Sequence, residues 1–530
     1  MERNGAPALS RFKIYKCFLL GRLKKIEKNF QKFLNCNKPK ILIKLNMNIA
    51  TRVQGFQKVL AYAKMGEKDY QVAGVNWCLE NELTGNYFAG RKIRGGFIAD
   101  EMGLGKTITM IGTIFCNFQM PTLVVLPVVL IHQWYNEILK TTGHKAVIFH
   151  GNSKKELTRE KLEKSPIVLT SYGGITLNKK KMELTLLHEI QWHRVIFDEA
   201  HHLRNRKTGR FLGAKMLNAK IRWLVSGTPV QNKKGDFFAL CNLLRIPSSF
   251  YAEPGNIPIL RQKIILKRTK REVGIDVPDV KLQNSVVPWA TEDEERFGAN
   301  IHAHLSFSGS QLKENEDSLP FKNYQVIQLL TRAKQACILP SMVLKSLHDN
   351  TIELGTSSKM DAVVNAIVER KDNGNGKLVF CHYKEEIDTL VLGLKEGGIE
   401  SVASLDGRNS TLSRKTLLSE KYDVLILQIQ TGCEGLNLQE NYSEIYFVTP
   451  HWNPSVEDQA VGRCHRIGQT KQVHVFRFEM KPFREPMVPR TPPSDEMVEP
   501  NQKKVSGISF DNYVTLVQNK KRELVKEFIR

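Results

Sequence analysis

Short apolar runs recur along the chain, each followed by small or polar residues and then by an amphipathic stretch. Phe97, Ile98 and Ala99 read as a buried strand. The glycine-rich stretch from Asp100 to Thr107 follows, and then Ile108, Ile111 and Phe115 recur at helical spacing. The same order of strand and turn is expected at residues 123–127, 167–172, 195–201 and 224–232. Residues 291–350 read as polar and helical. The strand pattern restarts after Ser357, with strands at 378–380, 424–427 and 445–448 and a turn at 404–407. Strands that alternate with helices predict an α/β fold with two parallel sheets, each covered by helices.

The stretch Asp100-Glu101-Met102-Gly103-Leu104-Gly105-Lys106-Thr107 sits where a phosphate-binding loop belongs, between a strand and a helix start. Small residues let backbone N–H groups point at phosphate oxygens, and the helix N-terminus adds positive potential. Lys106 would reach the β- and γ-phosphates of ATP, and the Thr107 hydroxyl would hold Mg²⁺. A loop of this kind usually opens with glycine, and here that position is Asp100. Gln71 lies some 30 residues before the loop, and its amide can pair with the edge of adenine. The apolar run 195–197 ends in adjacent carboxylates: Asp198 would orient Mg²⁺ through water, and Glu199 would act as general base. Residues 224–232 end a third strand in small polar groups suited to sensing the γ-phosphate. Far downstream, Gln459 precedes Arg463 and Arg466, whose spacing puts both guanidiniums on one helix face. Such a pair can neutralise charge developing on a transferred phosphoryl group, or can be plain surface.

Charge adds a partner class. The net charge is +24 over 530 residues, an excess that points to a polyanion, nucleic acid before membrane. The longest apolar run, residues 122–131, is too short to cross a bilayer. Nine cysteines without a C-x-x-C pair fit a reducing compartment and no zinc module. Residues 1–46 hold twelve Lys/Arg against two acids, with Phe12, Tyr15, Leu19, Leu23, Ile26, Phe30 and Phe33 at helical steps. This basic stripe suits a nucleic-acid or membrane-surface helix or a targeting segment, and equally a dispensable extension. Residues 263–271 carry five positive groups, either a solvated helix face or a phosphate-tracking surface. Residues 482–500 contain six prolines, which excludes a continuous helix and suits a tether.

Taken in order, ADEMGLGKT, LVVLPVVLIHQW, VIFDEAHHLRN, LVSGTPVQN and DQAVGRCHRIGQ resemble the motifs of the SNF2 branch of the superfamily 2 helicase-like ATPases. The resemblance covers residues 58–480 and returns in VQNKKRELVKEFI, which is similar to the family's closing brace. Asp100 is normal for that family, whereas Cys433 stands where a second glycine is usual. With no RING, bromodomain or chromodomain-like extension, the chain is similar to the family's compact viral members. The resemblance implies two RecA-like lobes with an ATP site between them. Gln71, residues 100–107, Asp198 and Glu199 would come from the first lobe, and Gln459, Arg463 and Arg466 from the second.

The expected divisions are a basic extension 1–46, a first lobe 58–285 and a helical connector 286–355. A second lobe 356–480, a tether 481–505 and a brace helix 506–530 follow. The resemblance further implies double-stranded DNA as partner, with chromatin or other DNA-bound proteins as targets, and a nuclear setting (the host nucleus for a viral chain). Three functions compete: a double-stranded DNA translocase that remodels protein–DNA complexes, a strand-separating helicase, and a non-catalytic recruitment protein. The intact Lys106, Asp198, Glu199 and both arginines speak against the last.

Overall fold

The computed structural model describes residues 48–66, 68–178, 180–228, 233–303, 305, 324–347, 357–432, 436–484 and 507–529. The basic stripe within 1–46, Cys433 and nearly all of the proline-rich tether lie outside these residues.

Seven parallel strands make the first sheet, in the order Val147–Phe149, Ile167–Ser171, Thr122–Leu126, Gln191–Asp198, Asn218–Val225, Gly95–Ile98, Ile265–Leu266. The second sheet has six, in the order Val280–Val287, Val473–Met480, Tyr442–Phe447, Gly376–Cys381, Val424–Gln428, Val402–Leu405, again all parallel. Continuous apolar runs suit such strands because successive side chains point to opposite faces and both faces are covered. Leu123 and Val125 enter one core of the first lobe, Val124 and Leu126 the other. In the second lobe Val379 and Cys381 face one core, Leu378 and Phe380 the opposite one.

Parallel pairing brings the strand C-termini to one edge, where open α/β sheets bind ligands. Ile98 pairs with Val225, and Val225 with Asp198. The segments that follow these residues, namely the glycine-rich loop, Glu199 and Ser226, therefore emerge side by side.

Several expectations change. The helix Ile49–Tyr62, which a lobe start at 58 would cut, packs Val53, Phe56 and Leu60 against the first lobe. Strand Val280–Val287 pairs along its whole length with Val473–Met480, so it belongs to the second sheet although the expected boundary fell at 285. The helices Glu292–Ala303, Tyr324–Ile338 and Ser341–Leu347 are more than a connector: Ala333, Cys337, Ile338 and Met342 are buried in the second lobe's core. Ser404 and Leu405 end the strand Val402–Leu405, and the turn begins only at Asp406. The closing helix runs Phe510–Ile529; Val517 is buried in the second lobe's core, while Leu524 packs against that of the first and Phe528 lies within it. Among the described residues no helix is long and apolar enough to cross a membrane, and no His/Cys/Asp/Glu cluster could hold a metal ion by itself.

Candidate nucleotide site between the lobes

The glycine-rich loop turns on residues that can take left-handed backbone. Gly103 has φ +92° and Gly105 φ +76°, immediately before the helix Lys106–Cys116. A Cβ on Gly105 would also lie 2.4 Å from Gln71 Nε2 and would push that amide aside, which together with the positive φ favours glycine. Gln71 is buried and donates Nε2 to Leu104 O at 3.3 Å, which ties it to the loop. Lys106 Nζ donates to the carbonyls of Asp100 (3.0 Å) and Glu101 (3.4 Å). Burial lowers the Lys106 pKa, while the negative charges of Glu199, Asp100 and Asp198 oppose that shift. Half-buried Thr107 follows in the first helical turn.

The carboxylates of Asp100 and Glu101 face away from this task. Arg268 grips Asp100 with Nε–Oδ1 at 3.0 Å and a second bond at 2.5 Å. The Arg268 guanidinium also donates to Tyr70 O and lies 5.8 Å from that ring. Lys270 holds Glu101 in the same way, Nζ–Oε1 2.6 Å and backbone N–Oε2 2.8 Å. The basic run 263–271 is thus divided: Lys263 and Arg271 are exposed, whereas Arg268 and Lys270 are not part of a solvated face. Its helix stops at Ile264, Ile265 and Leu266 form an edge strand, and Arg268 and Lys270 turn inward to buttress the loop.

Asp198 ends its strand fully engaged. Trp134 Nε1 donates to Oδ2 at 2.7 Å, the Glu199 N–H donates to Oδ1 at 3.0 Å, and the Tyr172 hydroxyl donates to Asp198 O at 2.6 Å. Burial first, and then the charge of Glu199, raise the Asp198 pKa. Glu199 moves the other way. Burial favours its neutral form, but the His201 hydrogen bond and the charges of Lys106 and Arg463 outweigh that and keep it ionised. His201 Nδ1 lies 3.3 Å from both Glu199 Oε2 and Ser226 Oγ, and the Thr228 N–H donates to Ser226 Oγ at 3.2 Å. The end of the third strand is therefore wired to the carboxylate pair. Residues 229–232, the remainder of the segment expected to sense the γ-phosphate, lie outside the described residues.

Arg463 and Arg466 do not share a helix face. The helix Pro454–Val461 ends at Gly462, and residues 462–466 form a tight turn, with Arg463 N donating to Ala460 O and Arg466 N to Cys464 O. Gly462, with right-handed backbone, takes the cap position, and a glycine just past the last helical residue is a stop signal in the sequence. The turn still stands over the loop: a Cβ on Gly103 would lie 3.4 Å from Arg466 Cβ, and one on Gly462 would lie 3.3 Å from Met102 Cβ. Arg463 is largely buried, and its charge reaches both Lys106 and Glu199. Arg466 donates to Asn437 Oδ1. Gln459 is buried one turn earlier in the helix.

Beside Gln71 a cavity of about 280 Å³ is lined by Lys68, Asp69, Tyr70, Val273, Ile275 and Ile467, the last from the second lobe. The sequence does not show that Trp134, Tyr172 and His201 brace the carboxylate pair, that Ser226 bonds His201, or that Arg268 and Lys270 hold the loop. Their partners lie far off in the chain, and only strand–helix placement hinted at Trp134 and Tyr172.

A model of the SNF2-related domain matches residues 70–252, and one of the helicase conserved C-terminal domain matches residues 358–468. The chain is 27% identical over 444 residues to the "Probable global transactivator" of Orgyia pseudotsugata multicapsid polyhedrosis virus, a match covering 77% of this chain and 85% of that protein. It is 28% identical over 467 residues to the ATP-dependent DNA helicase DDM1 of Arabidopsis thaliana, covering 78% of this chain and 58% of the relative. Against the ISWI chromatin-remodeling complex ATPase ISW2 of Saccharomyces cerevisiae the identity is 25%, over 79% of this chain and 39% of the relative. The chain thus spans most of the viral relative and about half or less of the two cellular ones. Among solved structures, the Sulfolobus solfataricus SWI2/SNF2 ATPase core in complex with dsDNA aligns at 25% identity and TM-score 0.37, over 79% of this chain and 88% of that one.

Proposed function

The chain belongs to the SNF2 family of helicase-like ATPases, and from that premise we propose that it is a double-stranded DNA translocase that remodels protein–DNA complexes in the nucleus. The observation that carries the reading is the meeting of two lobes over one loop: Lys106 and Glu199 from the first, Arg463 and Arg466 from the second.

Each group has a role in this reading. The loop's N–H groups and Lys106 bind the phosphates of ATP, for which the left-handed glycines leave room. The base enters the cavity beside Gln71 and Tyr70, whose buried hydroxyl has no partner among the described residues. Thr107 and Asp198 suit Mg²⁺ held together with nucleotide phosphates, since Asp198 keeps lone pairs beyond those used by Trp134 and Glu199 N–H. That ion would neutralise phosphate charge. Ionised Glu199 takes a proton from the attacking water, and Arg463 and Arg466 stabilise the charge that develops. Hydrolysis would then report cleft closure, and DNA lying across both lobes would be gripped through its phosphates, largely without regard to sequence. The high positive charge supports this, as does the similarity to the chromatin-remodeling ATPase ISW2.

The test is ATP turnover with no nucleic acid, single-stranded DNA, duplex DNA and nucleosomes, alongside displacement of a bound third strand and of a duplex strand. The reading expects duplex-stimulated turnover, third-strand displacement and no strand separation. Arg466→Ala should bind ATP and lose about 10³–10⁵ in kcat, the scale of arginine fingers elsewhere. Strand separation would make the chain a helicase; turnover of Arg466→Ala like wild type would remove the two-lobe mechanism.

A further inference from the structure

Lys270 is bound at both ends by the phosphate loop and reaches the opposite lobe. It is 5% exposed. Its backbone N–H and its Nζ each take one of the two oxygens of Glu101, so one residue engages both ends of that carboxylate. The same Nζ donates across the cleft to His465 O at 2.9 Å. His465 lies between Arg463 and Arg466. A Cβ on Gly103 would lie 3.5 Å from Lys270 Cε and 3.4 Å from Arg466 Cβ, so loop, lysine and arginine turn are packed together. An ion pair internal to the first lobe needs only Glu101. The donation to His465 O is the part that such a role leaves unexplained.

We propose that Lys270 is a positioning residue for hydrolysis, fixing the height of the arginine turn over the phosphate loop and passing loop movement to it through Glu101. The inference rests on the ATPase reading of the cleft. Lys106 Nζ is parked on the carbonyls of Asp100 and Glu101. When Lys106 leaves them for phosphate, those carbonyls must find new partners, and the backbone at 101 carries the carboxylate that Lys270 holds. Lysine suits the task because one ammonium carries three donors, enough for Glu101 and His465 O together.

The experiment pairs kinetics with a measure of lobe position. Lys270→Met and Lys270→Arg are assayed for ATPase with saturating duplex DNA, for binding of a fluorescent ATP analogue, and for thermal stability. Each is also built into a Met102→Cys, Gly462→Cys background. There the two Cβ atoms would lie 3.3 Å apart, slightly inside the spacing of natural disulfides, so slight opening permits a bond. Oxidation rate on a non-reducing gel reports how often the lobes adopt this register. The six described native cysteines are all buried and contribute little.

Lys270→Met should lose about ten- to a hundredfold in kcat, the cost of misplacing reacting groups by about an ångström. Its nucleotide affinity should hold, and its cross-link should form more slowly. Lys270→Arg should recover most of both. Unchanged kcat and cross-linking in Lys270→Met would overturn the proposal. So would a loss of kcat that follows nucleotide affinity and thermal stability while cross-linking stays normal, since that is a role inside the first lobe. If wild type itself hydrolyses no ATP, the function reading fails and the catalytic part of the proposal with it, while the cross-linking arm still decides whether Lys270 sets the height of the arginine turn.

Discussion

Glu199 occupies backbone that few non-glycine residues accept, φ +49° and ψ 50°, at the step from strand to turn. Such a conformation costs on the order of 1–3 kcal/mol and persists where surrounding contacts fix it. Here they do: its N–H is bound by Asp198 Oδ1, Tyr172 holds the Asp198 carbonyl, and Trp134 holds the Asp198 side chain. The strain turns the Glu199 carboxylate toward His201, in a cleft where Lys106 and Arg463 keep it charged. Glu199→Gln keeps the shape and removes the base. We predict that this variant binds ATP and loses about 10²–10⁴ in turnover, the usual contribution of a general base. Steady-state ATPase beside analogue binding checks it, and near-normal turnover would exclude Glu199 as the base.

The closing helix starts on a histidine that must stay neutral. His302 Nδ1 lies 2.7 Å from Gly298 O, so it is the protonated nitrogen, and Nε2 accepts from Phe510 N at 3.0 Å. Cys337 Sγ lies 3.7 Å from Nε2. Burial pushes the His302 pKa down to about 4, although Gly298 O and the charge of Asp511 pull upward. The unfolded chain binds this proton at an ordinary value near 6.5, so acid favours unfolding. The contribution is complete above about pH 6.5 and is lost as pH falls toward 4. From pH 7 to 5 this group alone should cost about 2 kcal/mol, with His302→Gln losing correspondingly less. Urea midpoints at the two pH values test it, with His193 and His451, also depressed to about 4, a background common to both proteins. Equal losses would acquit His302. At this scale the sequence was legible where the signal was local. Apolar runs gave the strands, and Gly103, Gly105 and Lys106 gave the loop. Segment 263–271 was opaque because the partners of Arg268 and Lys270 stand 168 and 169 residues away. A charge run carries no mark of which of its members will be buried. Arg463 and Arg466 were legible as a pair, but their geometry was misjudged because Gly462 ends the helix before them.

The closing helix joins the two hydrophobic cores. Twenty residues at about 1.5 Å each reach some 30 Å, about a small domain's diameter. Phe510, Tyr513, Val514 and Val517 sink into the second lobe, where Asp511 pairs with fully buried Lys359. At mid-helix Gln518 donates to His451 O at 2.6 Å, Lys521 to Trp452 O at 2.8 Å, and Arg522 grips Asp458 at 3.0 and 3.1 Å. Phe528, at the far end, lies in the first lobe's core, 5.4 Å from Phe237 and edge-on to Phe238 at 6.3 Å. Its second-lobe end is held by charge and packing together, its first-lobe end by apolar packing, with Phe528 in the core and Leu524 and Val525 against it. Lobe rotation must therefore carry the helix along or pull Phe528 from its site. Phe528→Ala should cost about 3–5 kcal/mol of local packing and leave the second-lobe anchors in place. We predict that calorimetry will then resolve two lobe transitions further apart than in wild type, the second lobe's unmoved. Duplex-stimulated kcat should fall while ATP binding holds, because the arginine turn loses its register over the phosphate loop. In the Met102→Cys, Gly462→Cys background the disulfide should form more slowly. Wild-type turnover and cross-linking in Phe528→Ala would mean that the helix only caps the lobes, and that the contacts around Lys270 and Met102 set their register alone.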